Sequence, residues 1–256
     1  WTAFEAAAKD YLVIPAGGLS SIARLEAMAR YGVTVLCCTP TYAQRLGEMI
    51  GESSGIERMS LRLRTIIVAG EVGGSIPEVR SRIEKLWDCE VFDHHGMTEI
   101  GPVSHELPGH PCTLAVMEDA YFAEIVDPVT LTEVAEGECG ELLLTNLDRT
   151  ACPLMRYRTG DWVKKRIIGG RLCLEGGMLS RVDEMAVIRG VNVYPSAIEG
   201  IVRQFPEIEE FVVEQRNVDG MEEIELLVEI PGNVAKNPIK RLENKLRDTL
   251  HLRIPV

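Results

Sequence analysis

Alternation between apolar runs and amphipathic stretches is the feature that most constrains how the first hundred residues fold. The runs "VTVLCCTP", "LRTIIVAGE" and "CEVFDHHG" are apolar enough to form strands that are buried on both faces. Between them lie "TYAQRLGEMIGE" and "SIPEVRSRIEKLW", which we interpret as helices from their apolar spacing. This strand–helix–strand order predicts an α/β fold in which helices cover a parallel βαβ sheet over residues 1–102.

The pattern changes after residue 102, where helical spacing gives way to β-rich stretches. Turns at Asp127-Pro128 and Glu136-Gly137 separate two such stretches, which predicts antiparallel hairpin structure. We therefore expect a small antiparallel β subdomain over residues 103–181, which completes a large domain of residues 1–181. Residues 182–256 alternate strand and helix patterns and predict a smaller α+β domain.

Composition excludes some classes of partner. The 256 residues carry a formal net charge of −12, which argues against nonspecific binding of nucleic acid or anionic membrane surfaces. No apolar run approaches the ~20 residues that a membrane-spanning helix needs. Seven cysteines without a CxxC pair are typical of free thiols, so we expect a cytoplasmic protein.

Two of the predicted strands end in residues that suit a ligand site. Ligands of parallel sheets bind at the carboxyl ends of the strands. "VAGE" at 68–71 ends in small residues that leave room for a flat ring, and "HHGMTE" at 94–99 follows its strand with a glycine and a hydroxyl. Thr98 can face a phosphate, and Glu99 can bind Mg²⁺. His94 and His95 are adjacent on one strand and therefore point to opposite faces, so we do not expect them to share a metal ion.

Two further motifs lie near the predicted domain boundary. "RYRTGD" at 156–161 predicts a tight turn in which Asp161 accepts hydrogen bonds from a vicinal diol, with a solvated turn aspartate as the alternative. In "SRVDEMAVIRGVNVYPSAIE" at 180–199, Arg181 can reach a nucleotide and Asp183 can serve as a hinge. "RGVNVYP" predicts a hairpin in which Gly190 lets a ligand approach closely.

Taken together and in this order, these motifs resemble the adenylate-forming superfamily of acyl-CoA synthetases, and in particular its phenylacetate–CoA ligase branch. The resemblance covers nearly all of the chain. It implies an enzyme of aromatic acid catabolism that activates an aryl carboxylic acid with ATP and Mg²⁺ as an acyl-adenylate. It also implies that the small domain is a mobile lid, which rotates before CoA displaces AMP, and it allows a homodimer.

The resemblance also implies a role for each residue of the motifs. Thr98 would contact the α-phosphate, and Glu99 would hold Mg²⁺. Asp161 would bind the ribose hydroxyls with Arg181 assisting, and Asp183 would be the hinge. The remaining residues would line the ligand sites: Ala69 and Gly96 the acyl group, Gly70, Glu71 and His95 the adenine, and Gly190 the CoA tunnel.

Departures from the family pattern leave other functions open. The family's phosphate-binding loop would lie upstream of this chain and its adenylation lysine beyond Val256, so we expect an internal piece that is inactive alone. Ile167 and Gly169 stand where some relatives have zinc-binding cysteines, so we expect no structural zinc. Adenylyl transfer to another acceptor, such as a deazaflavin coenzyme, and a non-catalytic nucleotide- or acyl-binding module remain the alternatives.

Overall fold

The structure is a computed structural model that describes residues 7–50, 56–57, 60–182, 186–188, 191–218, 221–231 and 238–256. The chain divides into two compact units. One comprises Trp1–Thr159 and Val163–Met178, and the other comprises Gly160–Trp162 and Leu179–Val256. The domain boundary between residues 181 and 182 stays a prediction, and Asp183 and Gly190 lie outside the described residues.

Parallel strands and their helices form the start of the first unit. Strands β1 (Val35–Cys38), β2 (Thr65–Val68) and β3 (Glu90–Met97) follow one another in the sheet, and the β1–β2 and β2–β3 pairs are parallel. The helices are α1 (Ser21–Tyr31), α2 (Pro40–Glu48) and α3 (Pro77–Trp87). Two of them begin at side-chain caps, because Ser20 accepts from the Ala23 N–H and Thr39 accepts from the Tyr42 N–H. The parallel βαβ region is thus as expected.

The antiparallel strands continue the same sheet. They are β4 (Gly101–Leu107), β5 (His110–Val116), β6 (Tyr121–Val126), β7 (Cys139–Asn146), β8 (Tyr157–Ile168) and β9 (Arg171–Arg181). The order across the nine strands is β1-β2-β3-β4-β5-β9-β8-β7-β6. The predicted α/β class is confirmed, and the hairpin around Asp127-Pro128 is present as the antiparallel β6–β7 pair.

Strand β3 joins the parallel and antiparallel parts of the sheet because it is twice as long as its parallel neighbour. Its residues 90–93 pair with β2, and its residues 94–97 extend past β2 and pair with β4. Two apolar clusters support these parts. One lies beneath β1–β3 and includes Leu46, Ile66 and Trp87, and the other lies along the antiparallel strands and includes Leu114, Ile125 and Leu142.

The second unit is a small α+β structure with its own core. Its strands and helices are β10 (Ala186–Ile188), β11 (Val191–Val193), α4 (Pro195–Val202), β12 (Glu210–Val218), β13 (Met221–Glu229) and α5 (Ile239–Leu250). The β10–β11 pair is antiparallel, which confirms the hairpin predicted for "RGVNVYP". The chain end joins the core, since Ile254 is buried and the Leu226 N–H donates to the Pro255 carbonyl at 2.9 Å. None of the described helices is long and apolar enough to cross a membrane.

Candidate active site

Thr98 and Glu99 lie on the tight turn that connects β3 to β4, and both are exposed. Side chains from elsewhere in the sequence donate hydrogen bonds to the backbone of this turn. Arg149 Nη1 donates to the Glu99 carbonyl at 2.5 Å, and the Tyr121 hydroxyl donates to the Ile100 carbonyl at 3.1 Å. The turn therefore presents a hydroxyl and a carboxylate to solvent on a backbone whose Glu99 and Ile100 carbonyls are already bonded.

Gly96 marks the point where the pairing between β3 and β4 becomes irregular. The register shifts between His95 and Gly96, as it does at a β-bulge. A Cβ atom on Gly96 would lie 2.8 Å from the Gly101 carbonyl oxygen, which no real side chain tolerates. This close approach requires glycine, and it sets the direction in which the chain enters the Thr98–Glu99 turn.

The two histidines follow the alternation of the strand. Burial alternates along β3, with Val91, Asp93 and His95 buried and the residues between them less so. His95 is 8% exposed, and its Nδ1 lies 3.5 Å from the Ser104 hydroxyl. Burial lowers the pKa of His94, which favours its neutral form.

A buried polar network anchors the middle of β3, and sequence reasoning missed it. The Ser75 hydroxyl donates to Asp93 Oδ2 at 2.5 Å, and the Asp93 N–H donates to Glu106 Oε2 at 3.2 Å. Arg80 Nη1 lies 2.5 Å from the same Glu106 oxygen. Burial raises the pKa of the Asp93 carboxyl, against which the Ser75 and His94 hydrogen bonds act. A lone aspartate inside an apolar strand was the sequence signal for this network.

The "AGE" segment after β2 is fixed to the start of α2. The Ala69 N–H donates to the Cys38 carbonyl at 3.1 Å, and Gly70 adopts a φ of 94° that favours glycine. Glu71 Oε1 accepts from the Thr41 N–H at 2.6 Å, so this carboxylate satisfies a free donor at a helix N-terminus. The place of Glu71 beside an adenine stays a prediction.

The predicted pair of Asp161 and Arg181 is brought together. Arg181 Nη1 donates to Asp161 Oδ1 at 2.9 Å, and the Asp161 side chain is only 4% exposed. The tight turn predicted at 156–161 was wrong, because strand β8 runs through this segment. Within this strand Gly160 has a φ of 75°. The Val182 N–H donates to the Gly160 carbonyl at 2.7 Å.

The Glu99 carboxylate offers the oxygen ligands that Mg²⁺ prefers, whereas histidine and cysteine offer nitrogen and sulfur. The described part of the chain holds no group of three or more His, Cys, Asp or Glu side chains placed to bind a metal ion. Mg²⁺ does not require such a group, since proteins bind it through one or two carboxylates together with substrate phosphates and water. The exposed Glu99 carboxylate beside the Thr98 hydroxyl fits that mode. The seven cysteines carry free thiols.

Comparison with known protein families shows which family the chain belongs to. The family model for AMP-binding enzymes matches residues 10–147, and the model for the C-terminal domain of AMP-binding enzymes matches residues 190–256. The chain belongs to the family of AMP-binding enzymes, which confirms the resemblance drawn from its motifs.

Within that family, the chain is similar to several individual acid–CoA ligases. The chain is similar to a phenylacetate-coenzyme A ligase of Thermus thermophilus, with 31% identity over 85% of this chain and 50% of the relative. A phenylacetate-coenzyme A ligase of Pseudomonas putida is 33% identical over 77% of this chain and 45% of the relative. Among solved structures, a 2-hydroxyisobutyryl-CoA ligase in the postadenylation state matches with a TM-score of 0.90 and 25% identity, over 100% of this chain and 58% of that chain. The chain spans about half the length of the curated relatives that it matches.

Proposed function

We propose that the intact protein is an ATP-dependent acid–thiol ligase that acts on an aryl carboxylic acid such as phenylacetate. The substrate carboxylate attacks the α-phosphorus of ATP, and pyrophosphate leaves. The CoA thiolate then attacks the carbonyl carbon of the acyl-adenylate, and AMP leaves. The identity of about 30% with phenylacetate-coenzyme A ligases over most of the chain supports this substrate class.

The observation that carries the proposal is the exposed pair of Thr98 and Glu99 on a firmly held turn. A hydroxyl on such a turn can donate to an α-phosphate oxygen, and a carboxylate can hold a divalent cation beside it. Bound Mg²⁺ would supply positive charge that offsets the charge on the phosphate oxygens. The chain's part in the reaction is therefore to position the phosphate, which requires no protein nucleophile.

Asp161 and Arg181 would hold the nucleoside part of ATP. Two carboxylate oxygens match the two hydroxyls of a ribose, and charge-assisted hydrogen bonds contribute about 1.5–3 kcal/mol each. Arg181 already fixes one oxygen of Asp161 in place, at 2.9 Å. We assign Gly70, Glu71 and His95 to the adenine, Ala69 and Gly96 to the acyl group, and Gly190 to CoA on the strength of the resemblance.

Product analysis with the intact protein tests the proposal. Phenylacetate, ATP and Mg²⁺ should release pyrophosphate, and added CoA should yield phenylacetyl-CoA with free AMP. Pyrophosphate release that produces an adenylylated coenzyme in place of a thioester would favour the alternative acceptor. Nucleotide binding without pyrophosphate release from any carboxylic acid would favour the non-catalytic module.

Location and assembly complete the proposal. We propose the cytoplasm, because ATP and CoA are found there and the chain carries free thiols that a reducing compartment would preserve. We also carry over the homodimer from the resemblance. Light scattering on the intact protein measures its mass in solution, and a monomeric mass would contradict the dimer.

A further inference from the structure

Two side chains outside the family motifs hold the backbone of the Thr98–Ile100 turn. Arg149 donates to the carbonyl of Glu99, and Tyr121 donates to the carbonyl of the next residue, Ile100. The donors lie 50 and 21 residues away from their acceptors in sequence. Because both carbonyls accept from distant side chains, the peptide planes that follow Glu99 and Ile100 are restricted.

Tyr121 is a rigid donor because it belongs to the core. It is the first residue of β6, it is 7% exposed, and it packs in the same apolar cluster as Ile100. Burial raises the pKa of its hydroxyl, so Tyr121 keeps its proton and stays a donor well above neutral pH.

Arg149 belongs to a loop whose base is closed. The Asn146 N–H donates to the Leu154 carbonyl at 3.1 Å, and the Leu154 N–H donates back to Asn146 Oδ1 at 2.8 Å. The loop is also tied to the start of β6, since the Leu147 N–H donates to the Ala120 carbonyl at 3.0 Å. These contacts hold the loop that carries Arg149 next to the start of β6, which carries Tyr121. Both side chains therefore reach the same turn, although Arg149 itself is exposed.

We propose that Arg149 is a positioning residue for adenylation, with Tyr121 as its partner, and that it acts by holding Glu99 where the cation and the phosphates are bound. This inference rests on the proposed function. Catalytic sites, including one that transfers an adenylyl group, need their groups held within about 0.5 Å of the productive geometry. Glu99 is exposed on a three-residue connection between β3 and β4, and the two side-chain hydrogen bonds restrict the backbone that carries it. The planar guanidinium supplies a directional donor, which an ammonium supplies less well.

The test uses the intact protein and compares Arg149→Ala, Arg149→Lys and a matched control, Arg166→Ala. Arg166 is an exposed arginine whose Nε lies 3.9 Å from Glu136 Oε1, so its removal changes the net charge equally without touching the turn. Three quantities are measured for each variant: the rate of phenylacetate-dependent ATP–pyrophosphate exchange, the Mg²⁺ concentration at half-maximal exchange, and the rate of thioester formation from supplied acyl-adenylate.

We expect Arg149→Ala to slow exchange about tenfold and to raise the half-maximal Mg²⁺ concentration about fivefold, less than the roughly hundredfold that misplacement of a reacting group by a full ångström can cost. Thioester formation from supplied acyl-adenylate should stay within about twofold of the wild type, because that half-reaction neither consumes ATP nor releases pyrophosphate. Arg149→Lys should recover only part of the exchange rate, because an ammonium is a less directional donor than a guanidinium. Tyr121→Phe should lower exchange too, and its effect should not add fully to that of Arg149→Ala, because both act on one turn.

Three outcomes overturn the inference. Arg149→Ala could behave like Arg166→Ala, or it could slow both half-reactions equally, or it could leave the Mg²⁺ dependence unchanged; each shows that Arg149 does not act through Glu99. Absence of exchange in the wild-type protein with every carboxylic acid tested is a different result, because it removes the proposed function and the inference with it.

Discussion

Gly160 lies next to Asp161, the residue proposed to bind ribose, and its own backbone conformation affects that site. Its φ of 75° favours glycine, and a Cβ atom there would lie 2.6 Å from Arg181 Nη2. A side chain at residue 160 would therefore push the Arg181 guanidinium, the end of a flexible side chain, away from its present place beside Asp161. A buried carboxylate that loses such a partner is costly, which gives this one glycine an influence on the orientation of Asp161.

Gly160→Ala should displace the Arg181 guanidinium and weaken ATP binding to the intact protein about tenfold, which corresponds to about 1.4 kcal/mol. Gly169→Ala is the matched control. Gly169 has a φ of 60°, and an added Cβ atom there would have nothing within 4 Å, so this variant bears the same backbone strain of about 1–3 kcal/mol without the clash. Equal loss of ATP affinity in both variants, measured by calorimetric titration, would show that the ion pair plays no part in binding.

His94 makes the stability of the protein depend on pH. Burial lowers its pKa in the folded state below the ordinary value of 6.5, so the unfolded chain takes up the proton first as the pH falls. The stability that His94 contributes is therefore present above about pH 6.5 and is lost as the pH falls below that value, by at most about 1.4 kcal/mol per pH unit.

We expect His94→Gln to flatten the fall in melting temperature between pH 7.5 and pH 5, in a range set by the histidine pKa of about 6.5. His110→Gln serves as the control, because His110 is exposed on β5. A pH dependence that is the same in the wild type and in His94→Gln would contradict the assignment of this slope to His94.

At the scale of elements, helices α2 and α3 are joined by an unusually close contact. A Cβ atom on Gly47 of α2 would lie 2.9 Å from Leu86 Cβ and 2.9 Å from Trp87 Nε1 of α3. The Trp87 indole N–H donates to the Ala43 carbonyl at 2.8 Å, and Trp87 is buried. This contact holds the two helices that flank the strand end bearing Ala69 and Glu71.

Gly47→Ala should lower the free energy of unfolding by about 1–3 kcal/mol, the usual cost of overpacking a core contact. Gly17→Ala has nothing within 4 Å of the added methyl group and should change stability by less than about 0.5 kcal/mol. Urea unfolding followed by tryptophan fluorescence measures both. A Gly47→Ala variant as stable as the wild type would mean that α2 and α3 can move apart without cost.

Periodicity and apolar runs were sufficient to place the βαβ strands, the β6–β7 hairpin and the β10–β11 hairpin, because each depends on residues close in sequence. Other features depend on residues far apart. No local pattern distinguishes a strand that tolerates a positive φ at Gly160 from a tight turn, so the predicted turn at 156–161 was wrong. The Glu71–Thr41 and Arg149–Glu99 hydrogen bonds join residues that are 30 and 50 positions apart, and only the folded sheet brings them together.

At the scale of the whole molecule, the proposed reaction has two half-reactions, and Asp183 is the residue predicted to separate them. Asp183 lies outside the described residues, and its hinge role rests on the resemblance to the ligase family. A hinge works by changing a few backbone dihedrals, and proline fixes φ near −65°.

Asp183→Pro should slow thioester formation about tenfold or more while changing acyl-adenylate formation by less than about threefold, because a fixed φ blocks the change of dihedral between the two steps. Asp183→Asn keeps the dihedral free and should leave the ratio of the two rates close to that of the wild type. Equal loss in both half-reactions for Asp183→Pro would contradict a hinge at this position.

The central proposal, which follows the resemblance to the ligase family, is that Asp161 binds the ribose of a nucleotide and that Thr98 contacts its α-phosphate. A crystal structure of the intact protein with AMP and Mg²⁺ tests this most directly. We expect both ribose hydroxyls within about 3.2 Å of the Asp161 carboxylate and an α-phosphate oxygen within the same distance of the Thr98 hydroxyl. A nucleotide that is well ordered elsewhere in the protein, with neither contact made, would contradict the claim.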